Sequence, residues 1–374
     1  MEKITILHVL FVSDNKSSGV RNIVPKHLEY QASFANVALL NCNYTELEEA
    51  KGKYNVYKLG ELQDKKISNL PKPYNKPDLV IFHAIYYPQY LRLYKECKKN
   101  NIPYIIVPHG SLTKKAQKQK WLKKIPANLL LFNRYINNAS AIQFLIEGEK
   151  DNSRKCKRYI ISGNGIDTAS LKEKIYNNCN NDSQFKIIYI GRYDTKTKGL
   201  DLLMNAMGLI KEYARKNNII LAMYGTDYRG RKKEIESLIK HLKIDDIVKI
   251  NGPVWEGEKN RKLCEADIFI QPSRTEGQPV GLMEAIDVGI PCIVTKETNY
   301  GEIIQKGDMG WCAETNAESI AEKIKDAFEN RANLYKMSEK EKKYAQEEFE
   351  WNKIAREAIK KYKNTIKEYK EEQL

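Results

Sequence analysis

The 374 residues contain no C-x-x-C pair and no Cys/His cluster. The seven cysteines (Cys42, Cys97, Cys156, Cys179, Cys264, Cys292 and Cys312) are odd in number and scattered. That excludes a disulfide framework and a zinc site, and fits a reducing cytoplasm. Long apolar runs are missing too. The N-terminal "ITILHVLFV" is nine residues long, carries a histidine and ends in "SDN". It is too short to cross a bilayer, lacks a signal-peptide cleavage pattern, and reads as a buried strand. Neither G-x-x-x-x-G-K-[ST] nor G-x-G-x-x-G after the first strand occurs, which argues against an ATPase and an NAD-dependent dehydrogenase. No DNA- or RNA-binding motif appears, so no nucleic-acid partner is expected. There is no internal repeat.

Positive charge is abundant and uneven. Lys and Arg number 63 against 48 Asp and Glu, for a net +15. Residues 1–168 hold 27 basic and 14 acidic side chains, whereas residues 169–374 hold 36 and 34. The excess therefore belongs to the N-terminal half and points to an anionic partner. Length alone implies two domains. Short apolar runs lie at 4–12, 36–41, 54–59, 78–85, 103–110, 141–147 and 158–167, then at 185–192, 219–225, 247–252, 267–273, 291–295 and 309–314. Near-continuous apolar strands separated by helical patterns predict parallel sheets covered on both faces. The expected fold class is α/β with two doubly wound, Rossmann-like domains, over 1–168 and 169–350. Polar 173–184 is the expected linker, and a helix over 351–374 carries Trp351, Ile354, Ala358 and Tyr362 near one stripe.

In open parallel sheets ligands bind beyond the carboxyl ends of the strands. The run ends there supply Gly19, His83, His109, Asn164 and Arg192, the last followed by Lys198. Arg192 and Lys198 could neutralise a diphosphate or simply solvate a loop. "TEGQPVGLMEA" (275–285) places Pro279 in the expected first turn of a helix, so the amides of Val280 and Gly281 can face a phosphate. Glu284 sits one turn deeper, and Glu276 lies outside the helix. Two carboxylates beside an anion make sense if they accept bonds from sugar hydroxyls on either side. By spacing alone, a cap at Glu276 and an ordinary surface residue at Glu284 fit better. His83 and His109 each end a strand, and an isolated histidine there is more often structural. "SLTKKAQKQKWLKKI" (111–125) has six lysines, no acid, and Leu112, Trp121, Leu122 and Ile125 between them. One helix of this kind fits an anionic membrane surface and a solvated charged face about equally.

"GRYDTKTKGLDLLMNAM", "YGTDYRG", "ADIFIQPSRTEGQPVGLMEAIDVGIPCIVT" and "GEII" follow, in this order, the pattern of retaining family 4 glycosyltransferases of GT-B fold. The resemblance covers about residues 158–350; the N-terminal half matches loosely, through Gly19, His83, "PHG" and "NGID". It implies two Rossmann-like domains facing each other across a cleft, with the terminal helix returning to the first. It also implies a metal-independent, cofactor-free transfer of a sugar from a nucleotide-diphosphate sugar, UDP-sugar favoured over GDP-sugar. In it Glu276 contacts the donor sugar, Glu284 the ribose, and Arg192 and Lys198 the diphosphate. The stretch Gly277, Gln278, Pro279, Val280 and Gly281 lines the donor, Gly19 closes over it, and His109 lies near the reacting sugar. His83, His109 and Asn164 are the acceptor-side candidates. The expected acceptor is a saccharide, lipid-linked, in surface-polysaccharide synthesis, at the inner face of the plasma membrane. A sugar-nucleotide epimerase of the same fold and a non-catalytic partner subunit are the alternatives. "EGQPVG" departs from relatives with phenylalanine after E-G, and "SSGV" has one glycine where two are common.

Overall fold

Each of the thirteen apolar runs contains a β-strand, because continuous Val, Ile, Leu and Phe suit a strand buried on both faces. The computed structural model describes residues 3–14, 18–118, 121–167 and 184–373, so all of the expected linker except Gln184 lies outside the described residues. The chain divides into two units, residues 1–164 with 351–374, and residues 165–350.

The first unit is built on a seven-stranded parallel sheet of β1 (Thr5–Leu10), β2 (Asn36–Asn41), β3 (Asn55–Lys58), β4 (Leu79–His83), β5 (Tyr104–Val107), β6 (Ala141–Phe144) and β7 (Tyr159–Ile161). Their order is β3-β2-β1-β4-β5-β6-β7. β1 pairs with β2 from Thr5 opposite Asn36 and with β4 from Ile6 opposite Leu79. The order of strands reverses between β1 and β4, which opens a crevice at their carboxyl ends. The helix Trp351–Glu371 belongs to this unit, and its Trp351 stacks on Tyr30 with ring centroids 5.3 Å apart. Aromatic residues fill much of the core, and their hydroxyls find carbonyls: Tyr90 donates to His83 O and Tyr104 to Tyr135 O.

The second unit carries six parallel strands, β8 (Phe185–Ile190), β9 (Ile219–Tyr224), β10 (Val248–Asn251), β11 (Ile268–Gln271), β12 (Cys292–Thr295) and β13 (Gly310–Ala313). Their order, β10-β9-β8-β11-β12-β13, again reverses, here between β8 and β11. Arg192 and Lys198 follow β8, and the stretch 275–285 follows β11. Strand topology alone therefore brings these sequence-distant residues to one crevice.

Candidate functional site

The turn after β8 is made rigid before it offers any charge. Asp194 caps the short helix Thr195–Lys198 by accepting from the amides of Lys196 and Thr197, and it pairs with Arg231. Burial alone would push the Asp194 carboxyl up; the bonds from Thr197 and the Arg231 guanidinium overcome that and hold it below its ordinary value. Gly199 ends this turn at φ +66, where a Cβ would lie 2.0 Å from Pro272 O. Arg274 clamps the turn from the other side. Its guanidinium bonds both oxygens of Asp201, at 2.6 and 2.7 Å, and Thr195 O at 2.7 Å, while its amide donates to Thr197 O. Arg192 lies over the Tyr228 ring, 4.7 Å from its centroid.

Held this way, Lys198 reaches the loop after β11 and donates to Glu276 Oε1 at 2.6 Å, with both side chains mostly buried. Ser273 Oγ at 2.6 Å and Gln271 Nε2 at 3.3 Å converge on the same oxygen. The loop backbone is pinned from beyond β12, where Asn299 Nδ2 donates to the carbonyls of Glu276 and Gly277. Gln278 Nε2 donates to the Tyr300 hydroxyl at 2.8 Å. The helix that follows runs Val280–Val288 and ends at Gly289, φ +82. Pro279 is its N-cap residue, in extended backbone, one position earlier than the expected first turn. Val280 and Gly281 thereby become the first helical residues, whose amides no helix can satisfy internally. Glu284 forms an ion pair with Lys259 of the helix Glu256–Cys264. Two carboxylates, each held by a lysine, thus flank a helix start that attracts anions.

In the first unit the candidates separate. His109 follows β5 in a left-handed turn, φ +48, and is partly exposed. His83 is 3% exposed, and its ring nitrogens are bonded to His8 and His109. Asn164, also 3% exposed, accepts from His27 Nε2 at 2.9 Å. These two of the acceptor-side candidates therefore lie in the interior. Gly19 opens the helix Gly19–Gln31, with open space around its α-carbon. The helix expected over 111–125 does not include its first three residues. Helices run Lys114–Lys118 and Trp121–Ala127, and Leu112 is core, fixed by the bridge between Thr113 and Ser153. Leu122 and Ile125 within it are exposed, and exposed aliphatics continue beyond it at Leu129, Leu130 and Leu131.

Sequence reasoning missed Asp194, Ser273, Arg274, Lys259 and His8. The capping pattern D-T-K-T was available for Asp194, and a histidine inside an apolar strand was the signal for His8. Nothing in the sequence pairs Arg274 with Asp201 or Lys259 with Glu284.

Residues 171–348 match the family model described as Glycosyl transferases group 1. The amylovoran biosynthesis glycosyltransferase AmsK of Erwinia amylovora is 32% identical over 143 residues, 36% of this chain and 34% of that protein. The putative colanic acid biosynthesis glycosyltransferase WcaL of Escherichia coli K12 is 29% identical over 153 residues, 37% and 35% of the two chains. The matches thus span about a third of the length of these relatives. Anabaena HepE, solved in complex with UDP and glucose, superimposes with a TM-score of 0.72 over 96% of this chain and 100% of its own, at 16% identity. That likeness is one of fold, the two-Rossmann-domain GT-B class. Over residues 171–348 the chain is therefore similar to the glycosyl transferases of group 1.

Proposed function

We propose that the protein transfers a sugar from a nucleotide-diphosphate sugar, a UDP-sugar in preference to a GDP-sugar, to a saccharide acceptor in surface-polysaccharide synthesis. The reaction retains the anomeric configuration and uses no metal. The observation that carries this reading is the Lys198–Glu276 pair, anchored by Ser273 and Gln271 beside the start of the helix Val280–Val288. A diphosphate arriving there draws Lys198 and Arg192 toward its oxygens and takes the amides of Val280 and Gly281. Glu276, relieved of its lysine, accepts from hydroxyls of the donor sugar. Glu284, relieved of Lys259, accepts from the ribose diol. Gly277, Gln278 and Pro279 shape the space between. Charge builds on the leaving phosphate as the glycosidic bond breaks, and prearranged cations and amides stabilise that charge. The departing phosphate oxygen takes the acceptor proton on the same face, so no carboxylate acts as a nucleophile, unlike the acid pair of a glycosidase.

The two relatives from amylovoran and colanic acid biosynthesis favour a polysaccharide product, and the complex of HepE with UDP and glucose favours UDP. A lipid-linked acceptor fits the lysine-rich segment 111–125 with the exposed leucines beside it. No helix among the described residues is long and apolar enough to cross a membrane, so this contact would be peripheral.

Thermal shift with a panel of UDP- and GDP-sugars identifies the donor, since a ligand that binds only the native state stabilises it. Glu276→Gln and Lys198→Ala are expected to lower turnover by roughly 10²–10³-fold with unchanged circular dichroism. Full turnover in either variant removes the assigned site. Altered sugar released from the donor alone would instead indicate an epimerase, and no turnover with any donor and acceptor a binding subunit.

A further inference from the structure

Three histidines of the first unit form a hydrogen-bonded line. His8 Nδ1 lies 2.9 Å from His83 Nε2, and His83 Nδ1 lies 3.1 Å from His109 Nε2. Successive rings are tilted by 14° and 28°, so the links run nearly in the ring planes. His8 lies within β1 and His83 ends β4, the two strands that meet where the strand order reverses. The nitrogens face one another, and no group of ligating side chains suited to a metal ion occurs among the described residues. Burial lowers the basicity of all three rings, to about 3 for His8 and His109 and well below the ordinary value for His83. Each ring is therefore neutral at pH 7, with one N–H and one lone pair.

Which nitrogen of His109 holds the proton is decided at the far end of the line. The carbonyl of Ser162 can only accept, so Gln143 turns Nε2 to it, 3.0 Å away. Gln143 Oε1 is left to accept the Tyr362 hydroxyl at 2.7 Å. Tyr362, its proton committed, can offer its neighbour Gln31 only a lone pair. Gln31 Nε2 is buried without a hydrogen-bond partner among the described residues, and the oxygen is the atom turned to His8. Gln31 Oε1 accordingly accepts from His8 Nε2 at 3.0 Å. Each later step is forced, because one proton fits each link. His8 Nδ1 accepts from His83 Nε2, and His83 Nδ1 accepts from His109 Nε2. Of the six ring nitrogens, His109 Nδ1 is the one with no protein partner among the described residues.

We propose that this line fixes His109 as the Nε2–H tautomer and presents Nδ1 to a sugar hydroxyl as an acceptor only. His8, His83, Gln31 and Tyr362 are then positioning residues. The strained turn at His109 serves the same end by aiming the ring. Only the sugar contact rests on the function proposed above; the tautomer does not.

The test is nitrogen-15 NMR of the ligand-free full chain labelled at its five histidines, with Tyr362→Phe as the comparison. His109 is expected to show a protonated Nε2 and a bare Nδ1 at neutral pH. Tyr362→Phe, which keeps the ring and loses the hydroxyl, is expected to give a mixture of tautomers. A protonated Nδ1 in the unaltered chain, or unchanged His109 signals in Tyr362→Phe, overturns the proposal. In turnover, the same variant is expected to lower kcat about tenfold or more with donor KM unchanged, as wrong-tautomer histidines do. An unchanged kcat overturns the positioning role. Failure of the transfer reading shows separately, as an unaltered protein that consumes no donor while its tautomer stands.

Discussion

Glu149 is buried with no cation paired to it among the described residues, accepting from the amides of Gly110 and Leu145 at 2.5 and 2.8 Å. It ties the turn that carries His109 to the end of β6. Burial pushes its carboxyl up to about 7, against the two amide bonds. Its folded value thus lies above the unfolded one, near 4.5. The contribution is complete below pH 4.5 and is lost as pH rises to 7, because the unfolded chain ionises first. A shift of this size corresponds to about 3 kcal/mol. Glu149→Gln, which cannot ionise, is expected to be less stable than the unaltered chain at pH 5 and to close that gap by pH 8. Urea unfolding at the two pH values measures it, and a constant difference would mean that Glu149 is charged in the folded chain. Residues like this show how far a sequence carries. Glu276 and Glu284 became candidates through the family resemblance of the ordered motifs around them, whereas their spacing alone favoured a cap and a surface residue. Glu149, Lys259 and His8 act through partners on other elements, which no local pattern announces.

Elements were the most legible level, since periodicity and turn residues are local. All thirteen apolar runs contain strands, and both sheets are parallel, because such runs can be buried on two faces at once. The runs overshoot the strands at several carboxyl ends, where the chain leaves the ladder and the site residues begin. Gly191 and Arg192 lie just past β8, for example. The helix expected over 111–125 starts only at Lys114, for a different reason. Leu112 is one of the apolar residues between the lysines, but the bridge between Thr113 and Ser153 commits it to the core. Gly199 joins the short helix Thr195–Lys198 to the helix Leu200–Leu209 and sets where Lys198 points. An alanine there would adopt φ +66 with its Cβ 2.0 Å from a carbonyl, so the turn must open. Gly199→Ala is expected to destabilise the second unit by roughly 2 kcal/mol or more and to weaken donor binding about tenfold or more. Thermal unfolding and calorimetric titration with the donor read the two effects. Unchanged affinity would separate Lys198 from the diphosphate.

Charge is divided between the units more sharply than between the halves of the sequence. The first unit, with its C-terminal helix, has 34 basic and 17 acidic side chains, and the second has 29 and 31. A net +17 on one unit and −2 on the other gives the first a long-range attraction for anionic surfaces that the second lacks. On the same unit Leu129, Leu130 and Leu131, in the π-helical turn Asn128–Phe132, are 71%, 77% and 50% exposed, with Leu122 and Ile125 close by in sequence. Five exposed aliphatics are costly to keep in water without a partner. Lysines near an anionic bilayer contribute about 1 kcal/mol each, and stable attachment needs a second, apolar signal. The two signals predict different salt responses. Sedimentation with phosphatidylglycerol-containing vesicles is expected to show binding at low salt that weakens, without vanishing, at high salt, because inserted leucines are not screened. Changing Leu129, Leu130 and Leu131 together to Ser should leave only the screened part. Complete release of the unaltered chain at high salt would assign the attraction to charge alone, and no binding at low salt would remove the membrane from the proposed function.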